Sequence, residues 1–474
     1  MWWLAVGCTS GSLTVVGTSS PSSSSSSSLG ADQVPVDTGP AQSGVAPIGA
    51  GNVLIVIADD LGVDQVGAYG HPLAPPTPNV DALAARGRRF DTAWASSTCS
   101  PTRASVMTGR LGRRTGMGAV VQPWTDVALP LAETTLAELV ALAEPPWATA
   151  AVGKWHLADP DTSTGIDDPL AQGFGSYAGA LGNLYDDWRI TGPRSGYYRW
   201  LEVRDGATTI QTRYATTVAA DDAIAAIRDL PPPWLVYLAF NAPHEPLDPP
   251  PAALCPTLGA VSPLAPKAVR YAALIEAMDT ELGRVLAAID PDDTTVVFLG
   301  DNGTPEFGVL PPLVPSQAKG TPFEGGVHVP LIVAGPTVGA PGAATSALVH
   351  AVDLFPTVAA LAGVPLSAID VPLDGLDLGP LLADPDAQWP RTALFTEQFA
   401  PNGPGPYASD VRASRDASFK VIELATVGVS VVYDVRDGVD DGLPVDVDAL
   451  PPADRAEVDA LLAAHALEWD VTLR

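Results

Sequence analysis

The stretch Asn52-Val53-Leu54-Ile55-Val56-Ile57-Ala58-Asp59-Asp60 decides the fold of this chain. Its apolar run, residues 53–58, is unbroken, which is typical of a strand buried on both faces of a sheet. The two aspartates end the run abruptly and place carboxylates directly after the strand. Similar apolar runs recur along the chain at residues 148–152, 235–240, 294–299 and 331–334.

Segments with helical periodicity separate these runs. Strands that alternate with helices predict an α/β fold, with a large, mostly parallel or mixed sheet covered by helices on both faces. The helical segments are residues 80–86, 135–142, 216–227, 268–289 and 352–361. We assign this catalytic domain to residues 51–390.

The pattern of predicted secondary structure changes after about residue 390. Short strand-like segments at 393–396, 419–424 and 429–433 follow one another closely, and an amphipathic helix at 453–467 follows them. This pattern predicts a C-terminal subdomain, residues 391–474, made of a small antiparallel sheet and a terminal helix.

The first fifty residues differ from the rest. Leu4-Ala5-Val6-Gly7-Cys8 resembles the cleavage box of bacterial lipoproteins, and an unbroken serine run at residues 22–28 belongs to a disordered Ser/Pro/Gly tether. No basic segment precedes the box, as it would in an ordinary signal peptide. We expect an exported protein, either periplasmic or anchored to a membrane through lipidated Cys8, with a cytoplasmic location as the alternative.

Composition excludes several classes of function. The 474 residues include 25 basic and 54 acidic side chains, which gives a net charge of −29. Such a surface repels phosphate backbones, so no nucleic-acid partner is expected. No apolar run of about 18 residues exists to span a membrane. Three cysteines do not make a disulfide framework, and we expect Cys255, in a proline-rich loop, to be exposed.

Polar side chains directly follow four of the predicted strands. Ligands of α/β sheets bind beyond the carboxyl ends of the strands, so these side chains should meet at one rim. They belong to Asp59-Asp60, Gly153-Lys154-Trp155-His156, Asn241-Ala242-Pro243-His244 and Gly300-Asp301-Asn302.

A short motif supplies the most specific signal. Cys99-Ser100-Pro101-Thr102-Arg103, followed by Thr108-Gly109-Arg110, resembles the C-x-P-x-R signature of the sulfatase family, in the alkaline-phosphatase-like superfamily. The resemblance covers roughly residues 52–365. Further matching motifs, all in family order, are Asp59-Asp60, Thr77-Pro78-Asn79, Gly153-Lys154-Trp155-His156, Ala242-Pro243-His244, Asp301-Asn302-Gly303, Lys319-Gly320 and Glu324-Gly325-Gly326.

The resemblance implies a modified nucleophile. A formylglycine-generating enzyme would convert Cys99 to formylglycine (3-oxoalanine), whose hydrated aldehyde attacks sulfur. One hydroxyl of a geminal diol can attack, and collapse through the other expels sulfate, which a sulfated thiol or serine cannot do. Ser100 should begin a helix, so the nucleophile would lie at a positive helix end that suits sulfate.

A metal site is expected beside this nucleophile. Asp59, Asp60, Asp301 and Asn302 offer only oxygen ligands, which favour Ca²⁺ or Mg²⁺ over Zn²⁺. Three neighbouring carboxylates would also repel one another without a cation. The resemblance implies one Ca²⁺ per chain, with an oxygen of the modified residue at position 99 as a further ligand.

Five more side chains complete the candidate site. Lys154 and Lys319 would offer point charges to the sulfate oxygens. The resemblance implies that Arg103 holds the formylglycine diol. His156 would accept a diol proton during sulfate release, and His244, with Lys319, would protonate the departing alcohol.

Two features bear on specificity. His328 stands where the family usually has Arg after Glu-Gly-Gly-Val, which indicates either an altered pocket or a structural position. Residues 174–212 are rich in tyrosine and arginine, including Tyr197, Tyr198 and Arg199, and resemble the variable region that shapes substrate pockets. Exposed loop residues without a binding role are the alternative for this segment.

The sequence thus predicts an arylsulfatase-like sulfuric ester hydrolase acting on a small-molecule or carbohydrate sulfate ester. A phosphonate or phosphate monoester hydrolase on the same scaffold is one alternative, because phosphate shares the tetrahedral geometry of sulfate. An inactive member that binds sulfated glycans is a second alternative. It would be expected to lack a catalytic position, whereas every expected position is filled here.

Overall fold

The structure of the protein is a computed structural model that describes residues 51–184, 195–436, 438 and 440–469. Cys8 and the serine-rich tether lie outside the described residues, as does the part of the tyrosine-rich segment at 185–194. The boundaries drawn at residues 50 and 390 stay predictions.

A ten-stranded sheet forms the centre of the described chain. Its strands in chain order are β1 (Asn52–Ala58), β2 (Arg88–Phe90), β4 (Ala148–Gly153), β5 (Tyr177–Gly179), β6 (Trp200–Arg204), β7 (Ala207–Gln211), β8 (Trp234–Ala239), β9 (Thr294–Gly300), β10 (Leu331–Ala334) and β11 (Ala344–Thr345). They lie side by side in the order β11, β2, β10, β9, β1, β8, β4, β5, β6, β7. Two short strands, β3 (Ala93–Trp94) and β12 (Val349–His350), pair separately.

The middle of this sheet is parallel and its margins are mixed. β9, β1, β8, β4 and β5 are parallel neighbours, whereas β10 pairs antiparallel with β9 and β2, and β6 pairs antiparallel with β5 and β7. The mixed α/β sheet expected from the sequence is therefore confirmed. The sequence analysis missed β5, β6 and β7, which lie in the tyrosine-rich segment and lack long apolar runs.

Helices cover both faces of the sheet, as the alternation along β1 requires. Ile55 and Ile57 face one core, and Leu54 and Val56 face the other. None of the helices in the described ranges is long and apolar enough to cross a bilayer. The helices are α1 (Pro78–Arg86), α2 (Cys99–Thr108), α3 (Gly112–Thr115), α4 (Leu136–Ala141), α5 (Asp168–Ala171), α6 (Ala215–Asp229), α7 (Lys267–Leu286), α8 (Glu324–Val327), α9 (Leu354–Leu361), α10 (Gly379–Ala383) and α11 (Pro452–Glu468).

The C-terminal part folds as the sequence predicted. A four-stranded antiparallel sheet pairs in chain order and packs against α11. Its strands are β13 (Leu394–Ala400), β14 (Ser409–Arg415), β15 (Phe419–Leu424) and β16 (Val429–Asp434). The sequence analysis had not identified β14, whose buried and polar residues do not form a continuous apolar run.

A buried cluster of charged side chains joins this small sheet to the part of the chain that contains the ten-stranded sheet. Glu324, at the start of α8, accepts contacts from Lys420 Nζ (3.1 Å) and Arg415 Nη1 (2.9 Å). Lys420 also lies 2.7 Å from Asp441. His328 belongs to this cluster, with Nδ1 3.4 Å from Glu324 and Nε2 2.9 Å from the carbonyl of Asp91. His328 is therefore a structural residue in this chain.

Cys255 corrects one expectation. Its side chain is buried rather than exposed, and its thiol lies 3.4 Å from the carbonyl of Ala273 in α7. Burial, helped by the charge of Glu276, raises the pKa of this thiol to about 11. The apolar packing against α7 holds the proline-rich loop against the helix, which composition alone could not indicate.

Candidate active site

Four adjacent strands end level with one another and build the site. Ala58 of β1 pairs with Gly300 of β9, while Ala239 of β8 pairs with both Ile57 and Gly153. The residues that follow these strands therefore meet at one rim, as predicted. The sequence-predicted residues that reach this rim, either from the strand ends or from α2 and the loop before α8, are Asp59, Asp60, Cys99, Arg103, Lys154, His156, His244, Asp301, Asn302 and Lys319.

Cys99 occupies the first position of α2, which is entirely buried. Thr98 adopts extended backbone just before it, and Ser96 N–H donates to Thr102 Oγ1 at 2.9 Å. These features fix where the helix begins. The free N–H groups and dipole of a helix start favour an anion beside Cys99.

Arg103 lies one turn after Cys99 and cross-links three elements. Its Nε and Nη2 donate to Asp301 Oδ2 at 3.1 and 2.7 Å, and its Nη1 donates to the carbonyl of Lys154 at 2.8 Å. Burial alone would lower the pKa of this guanidinium, but the Asp301 carboxylate raises it above its usual range. Arg103 is therefore a fixed cation that ties α2 to the residues following β9 and β4.

The oxygen ligands fit a divalent cation. One oxygen of Asp59, one of Asp301 and the Cys99 sulfur lie within 4.8 Å of one another. The side-chain amide of Asn302 donates from Nδ2 to Asp60 Oδ1 at 2.9 Å. Within the described part of the chain, Asp59 Oδ1 and Asn302 Oδ1 remain buried without a hydrogen-bond partner. Buried acceptors of this kind are costly unless satisfied, so the residues present fit the expected Ca²⁺.

The carboxylates differ in how easily they ionise. Burial raises the pKa of each, but Lys154 at 2.5 Å outweighs burial at Asp59 and lowers its pKa. An ion pair with Lys319 likewise lowers the pKa of Asp60. The pKa of Asp301 is raised, because burial and the charge of Asp59 outweigh its contact with Arg103. A cation held between Asp59 and Asp301 would relieve this repulsion.

The two lysines pair with different carboxylates, Lys154 with Asp59 and Lys319 with Asp60. Lys154 follows Gly153, whose φ of +89° brings the backbone so close to β8 that an added Cβ would lie 2.0 Å from the carbonyl of Ala239. Lys319 is the more accessible lysine, with 19% of its side chain exposed. Gly320 N–H donates to the carbonyl of Ser97 at 2.8 Å, which ties the Lys319 loop to the start of α2.

His156 has one ring nitrogen that donates a hydrogen bond and one that is left unprotonated. Its Nε2 lies 3.1 Å from the carbonyl of Val121, which makes Nε2 the protonated nitrogen. Its Nδ1 is buried and makes no hydrogen bond to any residue that the structure describes. Burial and the charge of Lys154 hold the pKa of this ring well below its usual range. The backbone of His156 is left-handed (φ 61°), a strain that concentrates at functional sites.

His244 is oriented by its backbone neighbours. Its Nδ1 lies 2.7 Å from the carbonyl of Glu245, and its Nε2 lies 3.8 Å from Asp60. The hydroxyl of Tyr197 donates to the carbonyls of Asn241 and His244, at 2.8 and 2.9 Å. Tyr197 is fully buried and stacked on Tyr214, so it supports the His244 turn.

Sequence reasoning missed two supports of the site. Val121 orients His156 through its backbone carbonyl, which any residue offers, so no sequence signal could have found it. Tyr197 was noted only as part of a variable segment, and its contact with the His244 turn depends on β6 pairing into the sheet. Three further histidines, His71, His350 and His465, make contacts with groups other than the candidate site residues.

Comparison with known proteins agrees with this geometry. A sequence model of the sulfatase family matches residues 51–364. Arylsulfatase A of Homo sapiens is 32% identical over 390 residues, covering 74% of this chain and 71% of the relative. Arylsulfatase G of Mus musculus is 28% identical over 452 residues, covering 83% and 82%.

Solved structures share the architecture as well as the sequence. The crystal structure of Ps i-CgsB in complex with k-i-k-neocarrahexaose is similar with a TM-score of 0.72 and 25% identity. The likeness covers 88% of this chain and 92% of that one. The alkaline-phosphatase-like fold expected from the sequence is thus found, and the family match covers residues 51–364, most of the predicted catalytic domain. The chain belongs to the sulfatase family of sulfuric ester hydrolases.

Proposed function

We propose that the protein hydrolyses sulfate monoesters with a formylglycine made from Cys99 by a formylglycine-generating enzyme. The observation that carries this proposal is the position of Cys99 at the buried start of α2, beside Asp59 and Asp301. The modified residue would supply a geminal diol, one hydroxyl of which attacks sulfur while the ester oxygen leaves.

The cationic side chains of the site bind and orient the ester. Lys154 and Lys319, held by Asp59 and Asp60, offer charges to the sulfate oxygens, and the start of α2 adds N–H donors. Arg103 is held by Asp301 and by the carbonyl of Lys154, so it fixes the residue at position 99 rather than following the substrate.

Two groups of side chains transfer protons, His156 in one and His244 with Lys319 in the other. The partnerless Nδ1 of His156 accepts a diol proton as sulfate is released. In the other group, His244 and Lys319 adjoin Asp60 and protonate the departing alcohol. Lys319 carries a proton there because the carboxylate of Asp60 raises its pKa although burial opposes this.

Asp59, Asp60, Asp301 and Asn302 would hold one Ca²⁺. Bound there, the ion would neutralise sulfate charge and position the residue at 99. The support for this assignment is the pair of buried oxygens on Asp59 and Asn302 that accept no hydrogen bond from the described residues.

The substrate class follows the relatives. Two relatives are named arylsulfatases, and one similar solved structure holds a neocarrahexaose. We propose that the substrate is a small aryl or carbohydrate sulfate ester. The net charge of −29 disfavours a long polyanionic glycan.

The test combines mass and activity. A peptide containing Cys99 should have the mass of formylglycine or its hydrate, and purified enzyme should release sulfate from 4-nitrophenyl sulfate. Cys99→Ala should fold but lose turnover, whereas the matched control Cys255→Ala, at the other buried cysteine, should retain turnover. Full turnover by enzyme that carries only unmodified Cys99 would contradict the proposal.

Parallel assays distinguish sulfate ester hydrolysis from the alternative, hydrolysis of phosphate or phosphonate esters. Rates with 4-nitrophenyl sulfate, 4-nitrophenyl phosphate and a phenyl phosphonate ester should rank the sulfate first. A higher kcat/KM for phosphate or phosphonate would assign the scaffold to that chemistry instead.

We further propose export with a lipid anchor on Cys8. Its support is the box Leu4-Ala5-Val6-Gly7-Cys8 and the serine-rich tether that follows it. Labelling with a radioactive fatty acid should mark the wild type and not Cys8→Ala. Equal labelling of both proteins would refute lipidation at Cys8.

A further inference from the structure

Asp60 is held in a strained backbone conformation. Its φ of 70° is left-handed, which is uncommon for a residue other than glycine. A conformation of this kind costs free energy and persists only where the surrounding structure enforces it. The contacts that enforce this backbone also fix the point from which the Asp60 carboxylate projects.

A tyrosine of α7 engages one side of the strained residue. The hydroxyl of Tyr271 donates to the carbonyl of Asp60, and the whole side chain of Tyr271 is buried. The ring of Phe307 packs edge-on against the ring of Tyr271, with the two centroids 5.8 Å apart. The N–H of Asp60 donates to Asp301 Oδ1 at 3.0 Å. Both backbone polar groups of Asp60 are thus engaged, one by another proposed ligand and one by Tyr271.

A threonine in the loop after β9 engages the chain two residues further on. Thr304 is fully buried, and its hydroxyl accepts the N–H of Gly62 at 3.2 Å and donates to Asp64 Oδ1 at 2.5 Å. The approach is close, because a Cβ added to Gly62 would lie 2.7 Å from that hydroxyl. The carbonyl of Thr304 accepts the N–H of Lys319 at 2.9 Å. Thr304 therefore connects the loop after β1 to the loop that carries Lys319.

The hydroxyls of Tyr271 and Thr304, which we call the hydroxyl clamp, hold the loop after β1 on both sides of Leu61. The same loop presents the Asp60 carboxylate to its neighbours in the site. Asp60 Oδ1 accepts Asn302 Nδ2 at 2.9 Å and forms an ion pair with Lys319. A shift of the loop would move this carboxylate away from the other proposed ligands.

We propose that the hydroxyl clamp sets the affinity of the site for its divalent cation, by holding Asp60 in the conformation that binds it. Tyr271 and Thr304 are positioning residues, because they act through the backbone around Asp60. The inference rests on the proposed function, in which Asp60 is a Ca²⁺ ligand, and adds two residues to that site. Replacement of groups that orient metal ligands typically weakens metal binding by about 10-fold to 100-fold.

The alternative is that the two hydroxyls only stabilise the fold. A buried hydrogen bond contributes to the stability of a protein wherever it lies. Its loss would then lower the Tm, but the folded protein would bind the cation as tightly as before. The affinity of the folded protein for Ca²⁺ therefore distinguishes a positioning role from a structural one.

The test measures the Kd for Ca²⁺ by calorimetry, on the full chain freed of metal with a chelator. Tyr271→Phe removes one hydroxyl and keeps the buried ring, and Thr304→Val replaces the other hydroxyl with a methyl group. Each change should raise the Kd about 10-fold or more. Thr304→Ser keeps the hydroxyl and should restore most of the affinity. Tyr271→Phe loses a single hydroxyl and decides the inference even if Thr304→Val does not fold.

Two matched controls remove buried hydroxyls outside the candidate site. Thr357 makes a pattern similar to that of Thr304, since its hydroxyl donates to one backbone carbonyl at 2.6 Å and accepts one backbone N–H at 2.9 Å. The hydroxyl of Tyr69 donates to the carbonyl of Leu331 at 3.0 Å. Thr357→Val and Tyr69→Phe should lower the Tm and leave the Kd for Ca²⁺ unchanged.

The outcomes separate this inference from the proposed function. Wild type that binds Ca²⁺ but hydrolyses no sulfate ester would refute the proposed function, and the Kd values would still decide the role of the hydroxyl clamp. Wild type that binds no Ca²⁺ would overturn both the metal assignment and the inference. Equal Kd values of wild type and Tyr271→Phe would overturn the inference alone, as would controls that weaken Ca²⁺ binding as much as the clamp variants do.

Discussion

Glu324→Gln should destabilise the protein strongly although it changes one atom. Glu324 is buried and contacts Lys420 and Arg415 at 3.1 and 2.9 Å. Burial raises the pKa of this carboxyl, but the charges of Arg415 and Lys420 outweigh burial and lower the pKa to about 2, from an ordinary value of 4.5. Each unit is worth about 1.4 kcal/mol, so the ionised carboxylate stabilises the native state by about 3 kcal/mol at neutral pH.

The sign fixes the pH window. Because the pKa of Glu324 is lower in the folded than in the unfolded state, the stabilisation is complete above about pH 4.5 and is lost as pH falls towards 2. The same value follows from the usual cost of breaking a buried ion pair, about 3–5 kcal/mol, since Glu324→Gln would leave two buried cations short of a partner.

Urea unfolding at pH 7 and pH 3 measures the effect. Glu324→Gln should lower the free energy of unfolding by about 3 kcal/mol at pH 7 and by clearly less at pH 3. Asp441→Asn is the matched control, because burial and the charge of Glu324 raise the pKa of Asp441, and an amide oxygen can still accept Glu324 N–H (2.6 Å). The control should cost less than about 1 kcal/mol. A loss below about 1 kcal/mol for Glu324→Gln, or equal losses in the two variants, would refute the reasoning.

Three further predictions concern the site and its surroundings. Chelation of Ca²⁺ should abolish turnover and lower the Tm, since a ligand at a hundredfold excess over Kd stabilises the native state by about 2.7 kcal/mol. Asp301→Asn should cause the same loss of turnover. Full turnover in a metal-free sample would contradict the metal assignment. Tyr197→Phe removes the hydroxyl donor to the His244 turn and should lower kcat with KM unchanged; an unaltered kcat in a stable variant would show that the hydroxyl does not position His244. Burial and the charge of Arg391 lower the pKa of His350 to about 3. Acidification below about pH 6.5 should therefore reduce the free energy of unfolding by up to about 1.4 kcal/mol per pH unit. The urea midpoint of His350→Asn should fall less steeply with decreasing pH than that of the wild type. Equal pH dependence of the two midpoints would show that His350 is not the cause of the acid sensitivity.

Much of the fold could be predicted because its signals are local. The apolar run before Asp59 determines β1, and the periodicity of residues 268–289 determines α7 (Lys267–Leu286). Strands such as β5 and β14 (Ser409–Arg415) were missed because they are short or alternate without a clear apolar face. They exist because neighbouring strands supply their hydrogen bonds.

The candidate site was likewise predictable in part from the sequence. The sequence by itself determined which side chains follow each strand, and the rule for parallel sheets predicted that they would meet. It also determined the family motif around Cys99. Only the tertiary structure decided how these groups are oriented: the Val121 carbonyl contacts His156, and the Tyr197 hydroxyl donates to the His244 turn. The physical reason is that each of these contacts joins segments distant in sequence through groups, mostly backbone carbonyls and N–H donors, that every residue carries.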